Sequence, residues 1–126
     1  MQDLTIFSIA SERHQWLAAK SAAVSSNIAN ADTPGYRAQD VAPFEAALVS
    51  AGVRPAQTHS AHLAPDGPND KRFDLRPRED VAHKHSGNTV NLESELIQLG
   101  EVRSQHSIVT GVVSAFHRML LQSSKG

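Results

Sequence analysis

A chain of 126 residues is long enough for one domain with a modest core. Its net charge of −1 and pI near 6.6 exclude the basic surface that nucleic acid needs, and the absence of cysteine excludes disulfides, thiolate chemistry and cysteine-based zinc sites. Aromatics are only 5% of residues and the apolar side chains crowd into two terminal blocks, which argues against an enzyme-like globule.

The opening Met1-Gln2-Asp3-Leu4-Thr5-Ile6-Phe7 has neither a positive segment nor an unbroken apolar run, so no cleaved secretory signal is expected. No stretch approaches the ~20 apolar residues of a membrane span, so no direct membrane insertion is expected either. From Phe7, apolar or small residues recur at alternating steps of three and four: Ala10, His14, Leu17, Ser21, Val24, Ile28 and Ala31. This predicts a long amphipathic helix with Trp16, Ala23 and Asn27 widening one flank. The seam is poor in large side chains, so it buries little area and needs neighbours.

At Asp32 the pattern ends. Pro34 has no N–H and Gly35 admits positive φ, so Thr33-Pro34-Gly35-Tyr36 predicts a type II turn with Pro second and Gly third. Ala38–Ala42 reads as a short extended exit, and Pro43–Ser50 as a two-turn helix with Pro at its first position and Gly52 past its end. From Ala51 to Gly87, prolines and glycines punctuate a polar segment without helical period, in which Phe73-Asp74-Leu75-Arg76 alternates as a strand would. The charged run Lys71–Asp80 reads as a solvated loop.

The helical period returns at Asn91, a good N-cap, with Glu93 and Glu95 in the first turn where the helix dipole favours carboxylates. The seam runs Leu92, Glu95, Leu99, Val102, His106, Val109, Val113, Phe116 and Leu120, flanked by Leu96, Val112 and Met119. Ile97, Val112, Met119 and Leu121 fall outside it, an apolar excess of the kind that marks an interaction surface. The fold expected is mainly all-α: terminal helices paired as an antiparallel coiled-coil hairpin, with an irregular Gly/Pro-rich middle and at most a short β element. Residues 1–35 form the first helix and turn, 36–90 a short helix and loop region, and 91–126 the last helix, in one structural unit. The larger seam side chains, Leu17, Val24, Ile28, Leu99, Val102, Val109, Val113, Phe116 and Leu120, are the candidate assembly interface, through which the hairpin is completed by copies of itself or by relatives.

No Ser/His/Asp arrangement, phosphate loop or meaningful carboxylate pair is present, so no enzyme activity and no cofactor are expected. The alternative is a small soluble metal-binding protein or enzyme built on the loop histidines His59, His62, His83 and His85; zinc, however, needs three or four converging ligands, and these pairs lack cysteine or a helical His-Glu-x-x-His. His106, on the seam, reads as a hydrogen-bonded interface residue.

Ser26-Asn27-Ile28-Ala29-Asn30-Ala31-Asp32-Thr33-Pro34-Gly35-Tyr36-Arg37 closely resembles the N-terminal signature shared by axial proteins of the bacterial flagellum. Within that group the short length, Asp32–Ala38 and Ser86-Gly87-Asn88-Thr89-Val90-Asn91-Leu92-Glu93 look like the proximal rod branch. The resemblance covers about residues 10–42 and 83–121, and His106 and His117 depart from its usual apolar or amide pattern. It marks Asn27, Asn30, Asp32, Thr33, Pro34, Gly35 and Tyr36 as the turn motif. It implies a structural subunit of the basal-body rod, exported into the periplasm by the flagellar type III apparatus without a cleaved signal. Implied partners are copies of itself, other flagellar rod proteins, the inner-membrane ring and export-gate adaptor proteins at the rod base, and the export apparatus.

Overall fold

The computed structural model describes residues 2–52, 73–79 and 82–126. Five elements follow one another: helix α1 (Gln2–Ala29), strand β1 (Gln39–Val41), helix α2 (Phe44–Gly52), strand β2 (Leu75–Pro77) and helix α3 (Leu92–Lys125). α1 contains no glycine or proline, and only the two glycines Gly100 and Gly111 interrupt α3, so both run long: 28 and 34 residues.

The two long helices pair antiparallel, as their periodicity requires. Phe7 meets Phe116 edge-on at 5.9 Å between ring centroids, His14 meets His106 at 4.5 Å, and Asn27 reaches Glu95 at 3.1 Å. These contacts descend one helix as they climb the other. α3 begins as predicted: Asn91 Oδ1 accepts from the Ser94 amide at 3.3 Å.

Several boundaries differ from the sequence expectation. α1 stops at Ala29, and the Asn30 amide bonds to both Ser26 and Asn27 carbonyls, a tightened last turn that leaves Ala31 outside the seam. α2 runs Phe44–Gly52; Pro43 lies just before it and supplies the carbonyl that accepts from Ala46 and Ala47, while Gly52 is inside the helix. β2 falls two residues later than Phe73, with Asp40 opposite Arg76 in an antiparallel register. Within 51–87 the described residues hold the short β element expected there, at 75–77, and 82–87 closes a turn through the Gly87 amide and Lys84 carbonyl. Residues 53–72, including His59, His62, Lys71 and Arg72, lie outside the described part.

The core gathers where α2 and the two-stranded sheet cross the hairpin. Trp16, Leu17, Ala23, Val41 and Val102 are buried together, with Phe44, Ala47, Phe73 and Val109 packed around them. The Trp16 indole donates to the Ala42 carbonyl at 2.8 Å, so its polar edge is satisfied where it is covered. Arg13 lies across Trp16 and Phe44, 4.6 and 4.8 Å from the ring centroids, and donates to Gln105 Oε1 at 2.6 Å. One arginine thus ties α1, α2 and α3 together.

Candidate functional site

The signature turn is the hub of a buried polar network. Thr33 O accepts from the Tyr36 amide at 3.3 Å and Gly35 has φ +73°, the geometry expected of a type II turn. Asn30 N and Nδ2 both turn back onto the last carbonyls of α1, while Asp32 and Pro34 are exposed. The turn is held from outside by the Ser86–Asn91 segment. Gly35 N donates to Ser86 O, Thr89 N to Tyr36 O and Ala38 N to Thr89 Oγ1. Buried Asn88 donates its amide to Asn30 O at 2.9 Å and Thr33 O at 2.7 Å, so these two carbonyls, which also accept from the Thr33 and Tyr36 amides within the turn, are tied to the Ser86–Asn91 segment. Gly87, also at positive φ, lets its backbone lie against Gly35: a Cβ there would stand 3.5 Å from Gly35 Cα. The two sequence signatures, about fifty positions apart, are two halves of one junction.

Asn27 forms its centre. Fully buried at the end of α1, it accepts from Gln39 N at 2.9 Å and Tyr36 Oη at 3.2 Å, and donates to Gln39 O at 2.8 Å and Glu95 Oε2 at 3.1 Å. Its amide stands in for a neighbouring strand along the outer edge of β1, pairing both backbone groups of Gln39. On the far edge, Pro77 in β2 offers no N–H for another strand.

Glu95 is completely buried, and Arg78 Nη1 donates to its Oε1 at 2.7 Å. Arg78 also donates to Gln98 Oε1 at 3.2 Å and lies 3.7 Å from Asp40 Oδ2. The reading of Lys71–Asp80 as a solvated loop is therefore corrected at Arg78, whose side chain is 14% exposed. Glu95, expected in the first turn of α3 and on its seam, stands there, and it also holds strand segment, signature turn and α3 at one point; a buried carboxylate needs such partners. Nothing in the spacing of Arg78 and Glu95 announces this pair.

Among the seam residues offered as the candidate assembly interface, Leu17, Val24 and Val102 are buried inside the chain's own hairpin. Ile28, Leu99, Val109, Val113, Phe116 and Leu120 are half-buried between the helices. Leu92 and Leu96, placed in or beside the seam, are 45% and 53% exposed because α3 turns Glu95 inward between them. His106 is exposed and packs its ring on His14, whose Nδ1 is buried without a hydrogen-bond partner among the described residues. His83, His85 and His117 are exposed, and among the described residues no three His, Asp or Glu converge to hold a metal.

This arrangement ties the end of α1, strand β1 and the start of α3 to one another through buried polar side chains. A junction of that kind is a structural device, and the comparisons with known proteins point to the same class. The family model described as flagella basal body rod protein matches residues 8–37, that is, α1 and the turn. The chain is also 36% identical over 129 aligned positions to the flagellar basal body rod protein FlgB of Agrobacterium fabrum, covering 99% of this chain and 96% of the relative. The chain belongs to the flagellar basal body rod protein family, a structural family and not one of enzymes.

The turn supplies a first prediction. A Cβ on Gly35 would meet nothing within 4 Å, so the expected effect of a substitution is purely one of backbone strain. Gly35→Val is expected to cost about 1–3 kcal/mol and Gly35→Asn much less, because Asn tolerates left-handed backbone. Equal denaturation midpoints for wild type and Gly35→Val would show that this φ is not required.

Proposed function

We propose that this chain is a structural subunit of the flagellar basal-body rod, one unit that assembles through its terminal helices with copies of itself and other rod proteins. In the finer reading it occupies the proximal rod, contributes to the axial tube that transmits torque and encloses the export channel, and contacts inner-membrane ring and export-gate adaptor proteins. It reaches the periplasm as a substrate of the flagellar type III apparatus without a cleaved signal. The observation that carries this reading is the junction: family signature and second signature interlock where the end of α1 meets the start of α3, while Ile97, Ile108, Val112, Met119 and Leu121 stay 49–64% exposed on α3. The buried seam residues Leu17, Val24 and Val102 serve assembly by holding the hairpin together. Surface available to a neighbour lies on its flanks.

Restoring motility and basal bodies in a cell lacking its own rod subunit, by expressing this chain, tests the role; immotile cells with the chain present but outside purified basal bodies would overturn it.

The hairpin is not uniformly closed. Among the described side chains, none before Trp16 and none after Val102 is buried. In dilute monomer, backbone amides of residues 16–29 and 92–102 are therefore expected to resist hydrogen exchange far longer than those of 6–15 and 106–121. Assembly is expected to raise protection chiefly in the second set. Uniform protection along both helices of a confirmed monomer would contradict this.

A further inference from the structure

We propose that copies of this chain meet head to tail, with the isoleucine-rich outer stripe of α3 in one copy packed along the small-residue outer face of α1 in the next. This rests on the rod-subunit reading and deepens it by naming the two faces.

On α3, Ile97, Ile108, Val112 and Met119 are 64%, 61%, 56% and 56% exposed. At 100° per residue they share one narrow stripe, turned well away from the inward line of Glu95, Val102 and Val109. Four large apolar side chains at one azimuth need a cover. Glu101 is the one charged side chain among them.

On α1, an exposed line runs from Ser8 to Ala29 at alternating steps of three and four through Ser11, Ala18, Ala22 and Ser25. Gln15 is its one long side chain, and it carries no charge. Apart from Gln15, no described side chain on this line projects far, so another helix can approach closely and large side chains can fill the shallow surface. The serine hydroxyls suit a carboxylate such as that of Glu101. The stripes also match in length: about 32 Å on α1 and about 33 Å on α3, at 1.5 Å per residue.

Their placement decides the symmetry. Arg13, Trp16 and Lys20 turn one flank of α1 towards α2 and β1, through Phe44, Ala42 and Asp40. The small-residue line is on the opposite flank. On α3, Gln98 and Gln105 turn towards Arg78 and Arg13, and the isoleucine stripe adjoins them on that same side. The two stripes therefore occupy opposite faces of the hairpin. They cannot meet within one chain, and a two-fold dimer cannot join both pairs at once. A head-to-tail contact joins them at every step and propagates into a ring or helical stack.

The chain has no cysteine, so any disulfide it forms runs through an introduced one. The test uses full-length chain with Ile108→Cys combined in turn with Gln15→Cys, Ala18→Cys or Ala22→Cys, oxidised in purified basal bodies and run without reductant. A ladder of dimers, trimers and larger species from at least one double variant, and from neither substitution alone, is the expected result. Dimers from Ile108→Cys alone would show like stripes meeting and overturn the proposal; so would cross-links only to a different protein, or none in rods that contain the chain. As a second readout, Ile108→Asp and Ala22→Trp are each expected to reduce incorporation at least ten-fold, with the free chain still helical. Incorporation at wild-type levels would overturn the face assignment while leaving the rod role standing. A wild-type chain that never enters basal bodies would overturn the rod role first and this contact with it.

Discussion

Asn27→Asp is expected to destabilise the hairpin by roughly 3–5 kcal/mol and to abolish rod incorporation at neutral pH. The change is nearly isosteric, so packing is preserved and the effect is electrostatic. Asn27 Nδ2 now donates to Gln39 O at 2.8 Å and to Glu95 Oε2 at 3.1 Å, with both side chains fully buried. An aspartate there turns both bonds into repulsions between oxygens and sets a second carboxylate against Glu95, with Arg78 as the cation beside them. Two carboxylates that close favour sharing a proton, so the new group's affinity for a proton is raised in the folded state. The penalty is then fully present above the raised value and is relieved as pH falls from there into the ordinary carboxylate range. Urea midpoints of wild type and variant at pH 7.5 and pH 5 provide the check: the gap should narrow on acidification. Asn27→Ala loses the same hydrogen bonds without adding charge and should show a gap that does not depend on pH in this way. A variant as stable as wild type at pH 7.5 would mean that Asn27 and Glu95 are not in contact in solution.

Phe116→Asp and Val113→Asp are expected to leave subunits made but absent from rods, whereas Ser114→Asp assembles nearly normally. Phe116 packs edge-on against Phe7 at 5.9 Å, in the half of the hairpin where no described side chain is fully buried. That half depends on a few partial contacts, and putting a carboxylate into one of them costs roughly 2 kcal/mol or more. Ser114 is exposed, and a surface change there is expected within ~0.5 kcal/mol. Motility and basal-body content of the three variants at matched expression give the comparison. If all three assemble alike, closure of the distal half is not needed for the rod.

How much of this was readable in advance differs from element to element. Periodicity placed both long helices and their antiparallel pairing, because seams of about the same length need each other's cover whatever lies between. Pro34 and Gly35 dictated the turn through their own backbone preferences, and Asn91 capped α3 for the same local reason. The resemblance of residues 26–37 to axial proteins of the flagellum pointed to the family that residues 8–37 and the whole-chain comparison show.

Only the tertiary structure decided why those signature residues are there. Asn27 and Glu95 are 68 positions apart and Asn88 and Thr33 are 55, and polar side chains carry no period that would announce such pairings. Arg78 sat in a run of mixed charge that reads as solvated until β2 pairs with β1 and delivers it to Glu95. Likewise, seam membership on α3 did not separate what the hairpin covers from what it leaves open, since burial depends on where a partner helix and a crossing sheet lie. Local chemistry fixes helices, caps and turns from neighbouring residues alone. The polar junction and the free faces arise from contacts between segments distant in the chain, and those exist only once it has folded.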